Sequence, residues 1–268
     1  MPAVMERNRK KNSRSGTVVA DEKLGPAKKV FKTRPLTKKK AQAKANLKAS
    51  SDGDKQGSEV AVVDKSGVQW RPRTEQTEWF TATFHSVFGA LLSAAEKEPI
   101  PDDRIVELTE EIDRSTEKLG SHVKRVIGPI WKESLCTVDK DGDAGSPVVL
   151  VLCSSAIRCV ELLRGMKAFI GKVKPAKLFA KHIKVDEQVA LLKEHVNIAA
   201  GTPNRVRKLI DIGALGTSCL RLIILDMHAD AKGLTILSVP QVMAEFWEFY
   251  RAHLHQLFLT KQTQLMLY

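Results

Sequence analysis

Three short apolar runs in the second half of the chain constrain its fold more than any other feature. They are Val148–Leu152, Val196–Ala200 and Leu222–Leu225, and longer stretches with helical spacing separate them. Two shorter candidates, Lys177–Ala180 and Leu265–Tyr268, complete the pattern. Strands that are apolar throughout and alternate with helices are typical of a parallel sheet covered on both faces. We therefore predict an α/β fold with a single parallel sheet and helices on both faces.

Polar residues directly follow each apolar run. The pair Ser154-Ser155 follows the first run, the turn Gly201–Pro203 follows the second, and Asp226 follows the third. The carboxyl ends of parallel strands emerge on one edge of a sheet, where open α/β folds bind their ligands. We therefore expect these residues to share one face of the domain. The turn at Gly201 also has a purely structural interpretation, with Thr202 as a helix N-cap and Pro203 as the first helical residue.

The chain divides into two predicted parts. We assign residues 1–58 to a disordered basic tail and residues 59–268 to one α/β domain with an N-terminal helical extension. Within that domain we expect helices over about residues 74–135 and the sheet over about residues 146–268. Helical spacing predicts a first helix from about Thr74 to Lys97 and a second that begins near Asp102.

Nearly all of the net charge of +12 lies in residues 1–58, which hold 16 Lys/Arg and 5 Asp/Glu. This segment has too few apolar residues to offset the entropy of ordering, which predicts disorder. Its basic clusters indicate nuclear import and salt-sensitive RNA binding, whereas the alternative is a solubilising tail without a partner. The residues assigned to targeting and non-specific RNA binding are Arg7, Arg9, Lys10, Lys11, Lys28, Lys29, Lys38, Lys39 and Lys40.

The sequence predicts no metal site, no cofactor and no membrane span. Its four cysteines, Cys136, Cys153, Cys159 and Cys219, have no CxxC or zinc-ligand spacing, and they fit a reducing intracellular compartment. No apolar run approaches the roughly 18 residues of a membrane-spanning helix. The charged N-terminus also lacks the apolar core of a signal peptide.

Three motifs in order resemble the first RecA-like lobe of a DEAD-box RNA helicase. Leu150–Ser155 resembles the strand and turn of its first RNA-contacting motif, Gly201–Val206 resembles its GTPGRL motif, and Leu225–Ala229 stands where LDEAD would stand. The resemblance covers about residues 146–230. It implies that the predicted sheet is RecA-like and that its carboxyl edge contacts RNA.

The departures from the helicase pattern fall mainly on the catalytic groups. The sequence contains no GxxxxGK[ST] phosphate loop, Met227 replaces the glutamate that positions water, and Ala229 replaces the last aspartate. Phosphoryl transfer needs the phosphate cradle, the metal and the water-positioning group together. We therefore expect no enzymatic activity, and we expect no second lobe after Tyr268.

The positions that resemble RNA contacts have changed less. Ser155 keeps a hydroxyl where the helicases have threonine, Arg158 lies near the position of their arginine, and Lys181-His182 replaces a glycine pair. The backbone N–H groups after Gly201 lie at a helix N-terminus, which favours a phosphate, and Arg205, one turn into that helix, can bind the same phosphate. The alternative is that Arg205 braces its own helix. The predicted RNA site comprises Ser154, Ser155, Arg158, Lys181, His182, Gly201, Thr202, Pro203 and Arg205.

A more specific resemblance extends over nearly all of residues 70–268. The basic tail, the segments SPVVLVLCSSAIRCVELLR and KLFAKHIKVDEQV, the GTPNRV motif and IILD are similar to the Cms-type ribosomal small-subunit homologue family. That resemblance implies a non-catalytic factor of small-subunit biogenesis in the nucleus and nucleolus. The partners it implies are pre-ribosomal RNA and proteins of the small-subunit pre-ribosome, and a helicase is a further candidate partner. We also expect no membrane partner and a monomer when free.

Two other functions remain open from the sequence. One is a protein-interaction module that docks a helicase or a scaffold and never contacts RNA. The other is an enzyme, either a residual RNA-dependent NTPase or another α/β activity such as methyl transfer. The missing phosphate loop argues against the first kind of enzyme, and the lack of a Gly-rich loop after a first strand argues against the second.

Overall fold

Five strands form one parallel sheet in the part of the chain that the computed structural model describes, which is residues 67–108, 112–138, 143–171, 173–260 and 263–268. The strands are β1 Val149–Leu152, β2 Ala176–Leu178, β3 Ile198–Gly201, β4 Leu222–Leu225 and β5 Gln264–Leu267. Their order across the sheet is β2-β3-β1-β4-β5, and every neighbouring pair is parallel. The prediction of a single parallel sheet is confirmed.

Eight α-helices accompany the strands in the described residues. They are α1 Arg73–Phe88, α2 Leu119–Ile127, α3 Trp131–Cys136, α4 Ala156–Gly165, α5 Val185–Leu192, α6 Pro203–Asp211, α7 Pro240–Phe249 and α8 His255–Leu259. A π-helical turn, Tyr250–Leu254, joins the last two. None of the described helices is long and apolar enough to cross a bilayer.

Two apolar cores lie on opposite faces of the sheet, because successive side chains of a strand point to opposite sides. In β1, Leu150 and Leu152 pack into the core that contains side chains of α1, α5, α6 and α7. Val149 and Val151 pack into the other core, with side chains of α2, α3 and α4. All four residues of β1 are buried, as are those of β3 and β4. The prediction of helices on both faces is therefore confirmed.

The first helix is shorter than predicted, and the second does not begin where we expected. Helix α1 ends at Phe88, where Gly89 adopts a φ of +51° that other residues rarely tolerate. The predicted helix near Asp102 is wrong beyond a single 3₁₀ turn, Asp102–Arg104. Ile105 instead pairs in parallel with Leu265 of β5. An apolar residue that continues a sheet, as Ile105 does, can be as deeply buried as one on the inner face of a helix. The spacing of apolar residues alone therefore led to the wrong prediction of a helix.

Two predictions concern residues that lie outside the described part of the chain. The basic tail, with all nine of its assigned arginines and lysines, lies outside the described part. Its predicted disorder, and the boundary between residues 58 and 59, remain predictions.

Candidate nucleic-acid interface at the carboxyl edge of the sheet

The segments that follow the strands leave from one edge, since all five strands are parallel. The connection from β1 leads to β2 on one side of the sheet, whereas the connection from β4 leads to β5 on the other side. A crevice therefore opens between the carboxyl ends of β1 and β4, and such crevices are where open α/β sheets bind ligands. Ser155 and Asp226 follow these two strands directly.

An internal ion pair fills this crevice. Nε of Arg158 donates to Oδ2 of Asp226 at 2.8 Å, and the second guanidinium nitrogen donates to Oδ1 at 3.1 Å. The third nitrogen reaches Thr116 Oγ1 at 3.3 Å and Glu161 Oε2 at 3.2 Å. The Asp226 side chain is 1% exposed and that of Arg158 is 16% exposed. Arg158 was predicted to bind RNA, but in this structure its guanidinium donates its hydrogen bonds to protein acceptors.

Burial sets the protonation behaviour of the groups around the pair. Burial raises the pKa of the Asp226 carboxyl above its ordinary value, and the Arg158 guanidinium opposes that rise. A hydrogen bond with Cys159, together with burial, raises the pKa of the Cys153 thiol. A buried neutral thiol is a poor nucleophile and a poor metal ligand. Among the described residues, no group of three or more His, Cys, Asp or Glu side chains is arranged to hold a metal ion.

The second arginine of the predicted site also has internal partners. A guanidinium nitrogen of Arg205 donates to Gln188 Oε1 at 2.7 Å and to the carbonyl of Ile183 at 3.1 Å. Gln188 is buried, and its amide in turn donates to the carbonyls of Lys177 and Phe179 at 2.7 and 3.1 Å. Arg205 therefore braces α5 and the loop after β2, which comes closer to the alternative of a structural brace than to a free phosphate ligand.

The turn between β3 and α6 has the structural role that its sequence indicates. Thr202 occupies the N-cap position and Pro203 is the first helical residue, although the Thr202 side chain makes no capping hydrogen bond. Gly201 is fixed by close packing, because a Cβ atom there would lie 2.3 Å from the Leu178 carbonyl oxygen and 2.7 Å from Val206. The absence of a side chain at Gly201 thus serves the approach of β2 to β3.

The remaining predicted RNA residues are accessible at this edge. Ser155 is exposed and caps α4 by accepting a hydrogen bond from the Arg158 amide at 3.3 Å, while Ser154 is half-buried. Lys181 and His182 are both exposed in the turn after β2, and His182 has a φ of +62°. Ser155, Lys181, His182 and the half-buried Thr202 are therefore the predicted residues that offer polar groups to a ligand.

Met227, at the position of the helicase glutamate, and Asp230, one residue past the position of the last aspartate, have structural roles. Met227 is 5% exposed, and its backbone amide donates to the Tyr268 carbonyl at 2.7 Å. Asp230 closes a turn, since its carboxylate accepts from the amides of Lys232 and Leu234 at 2.8 and 2.9 Å. Those amides lower the pKa of the Asp230 carboxyl. Neither the Met227 nor the Asp230 side chain is arranged to activate a water molecule.

Three residues at this edge were missed by the sequence analysis. Thr116 contacts Arg158, Gln188 links β2 to Arg205, and the Tyr268 hydroxyl donates to the Ser115 carbonyl at 2.7 Å. Thr116 lies in a stretch without a motif, and Gln188 lies within the segment KLFAKHIKVDEQV, whose family resemblance does not indicate a role for this residue. Tyr268 is the last residue of the predicted strand Leu265–Tyr268, so its position at the carboxyl edge followed from that prediction.

Comparison with known families supplies an independent result. The family model described as "CMS1: U3-containing 90S pre-ribosomal complex subunit" matches residues 116–268, which is more than half of the chain. Protein CMSS1 of Homo sapiens is 37% identical over 135 residues, which are 50% of this chain and 47% of that protein. Protein CMS1 of Chaetomium thermophilum is 40% identical over 136 residues, which are 50% of this chain and 53% of that protein. The matched region is thus about half the length of each relative.

Solved structures of DEAD-box proteins also resemble this chain, at low similarity. S. cerevisiae Dbp5 bound to RNA and ADP–BeF3 matches with a TM-score of 0.39 and 15% identity, over 76% of this chain and 45% of that one. A DEAD box protein from Methanococcus jannaschii matches with a TM-score of 0.33 and 17% identity, over 48% of this chain and 32% of that one. At these scores neither likeness bears on what this chain binds.

Proposed function

The chain belongs to the CMS1 family of U3-containing 90S pre-ribosomal complex subunits, as its motifs predicted, and on that premise we propose that it is a non-catalytic, RNA-associated factor of small-subunit biogenesis. Its place of action is the nucleus and nucleolus, where it joins the small-subunit pre-ribosome. Pre-ribosomal RNA contacts the carboxyl edge of the sheet and the basic tail.

The ion pair between Arg158 and Asp226 is the observation that supports a non-catalytic role. Both oxygens of the carboxylate accept hydrogen bonds from the guanidinium, and the side chain is almost fully buried. A carboxylate in this state is not available to hold a metal ion or to orient an attacking water. The sequence also lacks the phosphate loop, and Met227 offers only a buried thioether.

The accessible groups at the carboxyl edge support the RNA contact. Lys181 supplies an exposed charge, and Ser155 and Thr202 supply hydroxyl groups on the segments after β1 and β3. Pro203 has no amide hydrogen, so the first free amides of α6 belong to Asn204 and Arg205, at a helix N-terminus that favours an anion. Contacts of this kind hold the phosphate backbone and do not read bases, so partners or RNA shape must determine the binding site.

A second candidate function is a protein-interaction module that docks a helicase or scaffold at the same edge. The observation that favours it is that Arg158 and Arg205, the two arginines predicted for RNA, both have protein acceptors. If this alternative holds, the carboxyl edge contributes nothing to RNA affinity.

Two measurements on the full chain test the proposal. Isothermal titration with ATP and magnesium should give no heat of binding, and micromolar binding would contradict the non-catalytic role. Binding to a single-stranded pre-ribosomal RNA fragment should weaken at least tenfold in Lys181→Glu/His182→Glu. Lys193→Glu is the control, because this exposed lysine precedes β3 and so lies at the opposite edge. Equal affinity of both variants would favour the protein-interaction alternative.

A further inference from the structure

A wide groove runs between α4 and α5 along the outer edge of β2. Its volume is about 1230 Å³, which exceeds the roughly 300–1,000 Å³ typical of small-molecule pockets. Aliphatic side chains line much of it, namely Val160, Leu163, Ile170, Ile183 and Leu191. Two of them are unusually exposed, with Ile170 at 43% and Leu191 at 40%. Apolar side chains grouped in this way on a surface mark an interaction site.

The charges along the groove are mainly positive. Arg164, Lys167, Lys174 and Lys177 line it, all four are exposed, and none forms an ion pair with another described residue. Among the acidic lining residues, Glu161 is bound by Arg158 at 3.2 Å, which leaves Glu117 and Glu187. A complementary occupant therefore carries carboxylates beside its apolar surface.

The groove does not suit an added β-strand. β2 is an edge strand, and an incoming strand would need its outward carbonyl groups. The Gln188 amide already donates to the carbonyls of Lys177 and Phe179. Because this buried side chain occupies the edge, a helix laid in the groove is the remaining mode of peptide recognition that uses the aliphatic floor.

Single-stranded RNA is also a poor match for the floor of the groove. Sequence-tolerant RNA sites use aromatic rings on which bases stack. None of the described residues that line the groove is aromatic. The floor is aliphatic, and the walls carry both signs of charge, which favours a peptide.

We propose that this groove binds a short amphipathic helix of a partner protein. The apolar side chains of that helix lie on Ile170, Ile183 and Leu191, and its aspartates and glutamates face Lys174 and Lys177. The proposal does not depend on RNA binding at the carboxyl edge. It assigns the chain a protein-binding surface that carries a partner of acidic, amphipathic character into the pre-ribosome.

Selection from a phage-displayed library of random peptides about 15 residues long, or roughly four helical turns, tests this proposal on the immobilised full chain. The selected peptides should carry apolar residues at positions i, i+3 or i+4 and i+7, with an excess of Asp and Glu. Measured by fluorescence anisotropy, their affinity should fall at least tenfold in Leu191→Asp and in Lys174→Glu. Ile212→Asp is the matched control, since Ile212 is 52% exposed at the end of α6 and does not line the groove.

Each other outcome overturns the proposal. The proposal is wrong if no peptide is enriched, if the selected peptides are basic, or if they bind Leu191→Asp as tightly as the unaltered chain. It is equally wrong if Lys174→Glu weakens the binding of a single-stranded RNA while peptide binding is unchanged. Lys181→Glu/His182→Glu should leave peptide affinity unaltered, so failure of the RNA proposal and failure of this one are distinguishable. Circular dichroism of each variant confirms that the loss is not unfolding.

Discussion

Gln188 and Arg205 form one hydrogen-bonded unit in which the glutamine accepts from the arginine at 2.7 Å and donates to two carbonyls beside β2. The unit joins α6 to α5 and to the loop after β2, and strand β3 separates α6 from the other two in sequence. Arg205 lies within a motif that resembles an RNA contact, but its hydrogen bonds here are made to the protein. Its first effect when changed should therefore be on stability.

Arg205→Ala should lower the free energy of unfolding by about 1–3 kcal/mol. The reason is that hydrogen bonds to a charged group contribute about 1.5–3 kcal/mol, and the substitution leaves Gln188 Oε1 buried without its donor. Urea denaturation of the full chain measures the change. Arg207→Ala is a matched control on the same helix, because its ion pairs with Asp211 and Glu248 are more exposed and should contribute less than about 1 kcal/mol.

The melting temperature and the RNA affinity of Arg205→Glu, measured together, decide between the two roles that the sequence leaves open for Arg205. A structural brace predicts that Arg205→Glu melts at a lower temperature and that any loss of RNA binding follows unfolding. If Arg205→Glu instead keeps its melting temperature and loses RNA affinity, Arg205 is a phosphate ligand and its contact with Gln188 is dispensable.

Removal of Arg158 should make stability strongly dependent on pH. Breaking a buried ion pair costs about 3–5 kcal/mol, since Asp226 is left charged and desolvated. Burial already raises the pKa of the native Asp226 carboxyl above its ordinary value of 3.8, so the folded state binds this proton more tightly than the unfolded state does. The contribution of the Asp226 carboxyl to the free energy of unfolding is therefore lost as pH rises from about 3.8 through the raised native pKa. Without Arg158 that native pKa rises further.

Urea denaturation of Arg158→Ala across the range from acid to neutral pH measures this effect. Relative to the unaltered chain, the variant should lose most stability at neutral pH and regain part of it on acidification. Arg158→Leu/Asp226→Asn should recover most of the loss, because no charge remains buried. Arg164→Ala, an exposed arginine on the same helix, should behave like the unaltered chain at every pH. A loss in Arg158→Ala that is independent of pH would show that Asp226 is not the source.

Gly201→Ala should be among the most destabilising single-methyl substitutions in this fold. The added Cβ atom would lie 2.3 Å from the Leu178 carbonyl oxygen, which is backbone and cannot rotate away, so β2 and β3 must separate. We expect a loss of about 3 kcal/mol or more, at the upper end of overpacking effects. Thermal and urea unfolding measure it.

Gly213→Ala provides the comparison for this substitution. Gly213 has a φ of +70° but no atom within 4 Å of an added Cβ, so the cost is conformational strain of about 1–2 kcal/mol. The difference between the two variants isolates close packing from backbone conformation. If Gly201→Ala is as stable as the unaltered chain yet binds RNA weakly, the glycine is a ligand-contacting residue and its packing role is wrong.

The sheet and its carboxyl edge were predictable, because apolar runs such as Leu222–Leu225 have few alternatives to a buried parallel strand. The placement of Ser155 and Asp226 beside one crevice followed from that topology. The ion pair between Arg158 and Asp226 could not be predicted in this way, since the two residues are 68 positions apart. An arginine near an edge that is predicted to bind RNA is compatible with an RNA contact and with an internal ion pair.

The region before the sheet was harder to predict for a different reason. Ile105, Leu108, Ile112 and Leu119 have helical spacing, but Ile105 lies against β5 as an extended residue. The spacing shows only that apolar residues recur at intervals. An extended segment whose side chains enter both cores can have the same spacing as a helix. Leu108 indeed packs in the core opposite to that of Ile105.

The basic tail should dominate the salt dependence of RNA binding. Residues 1–58 carry 16 of the 43 Lys/Arg residues and only 5 of the 31 Asp/Glu residues, so their excess charge is close to that of the whole chain. Each phosphate contact on a single strand contributes about 0.7 to the slope of log affinity against log salt concentration. Changing the nine assigned tail residues, from Arg7 to Lys40, to Gln in the full chain should flatten that slope by several units, measured by anisotropy with a single-stranded RNA over a salt series. Lys181→Gln/His182→Gln, which removes the charge of Lys181, should reduce the slope by about 0.7, the contribution of one phosphate contact. An unaltered slope in the nine-residue variant would place the electrostatic RNA contacts in the folded domain instead.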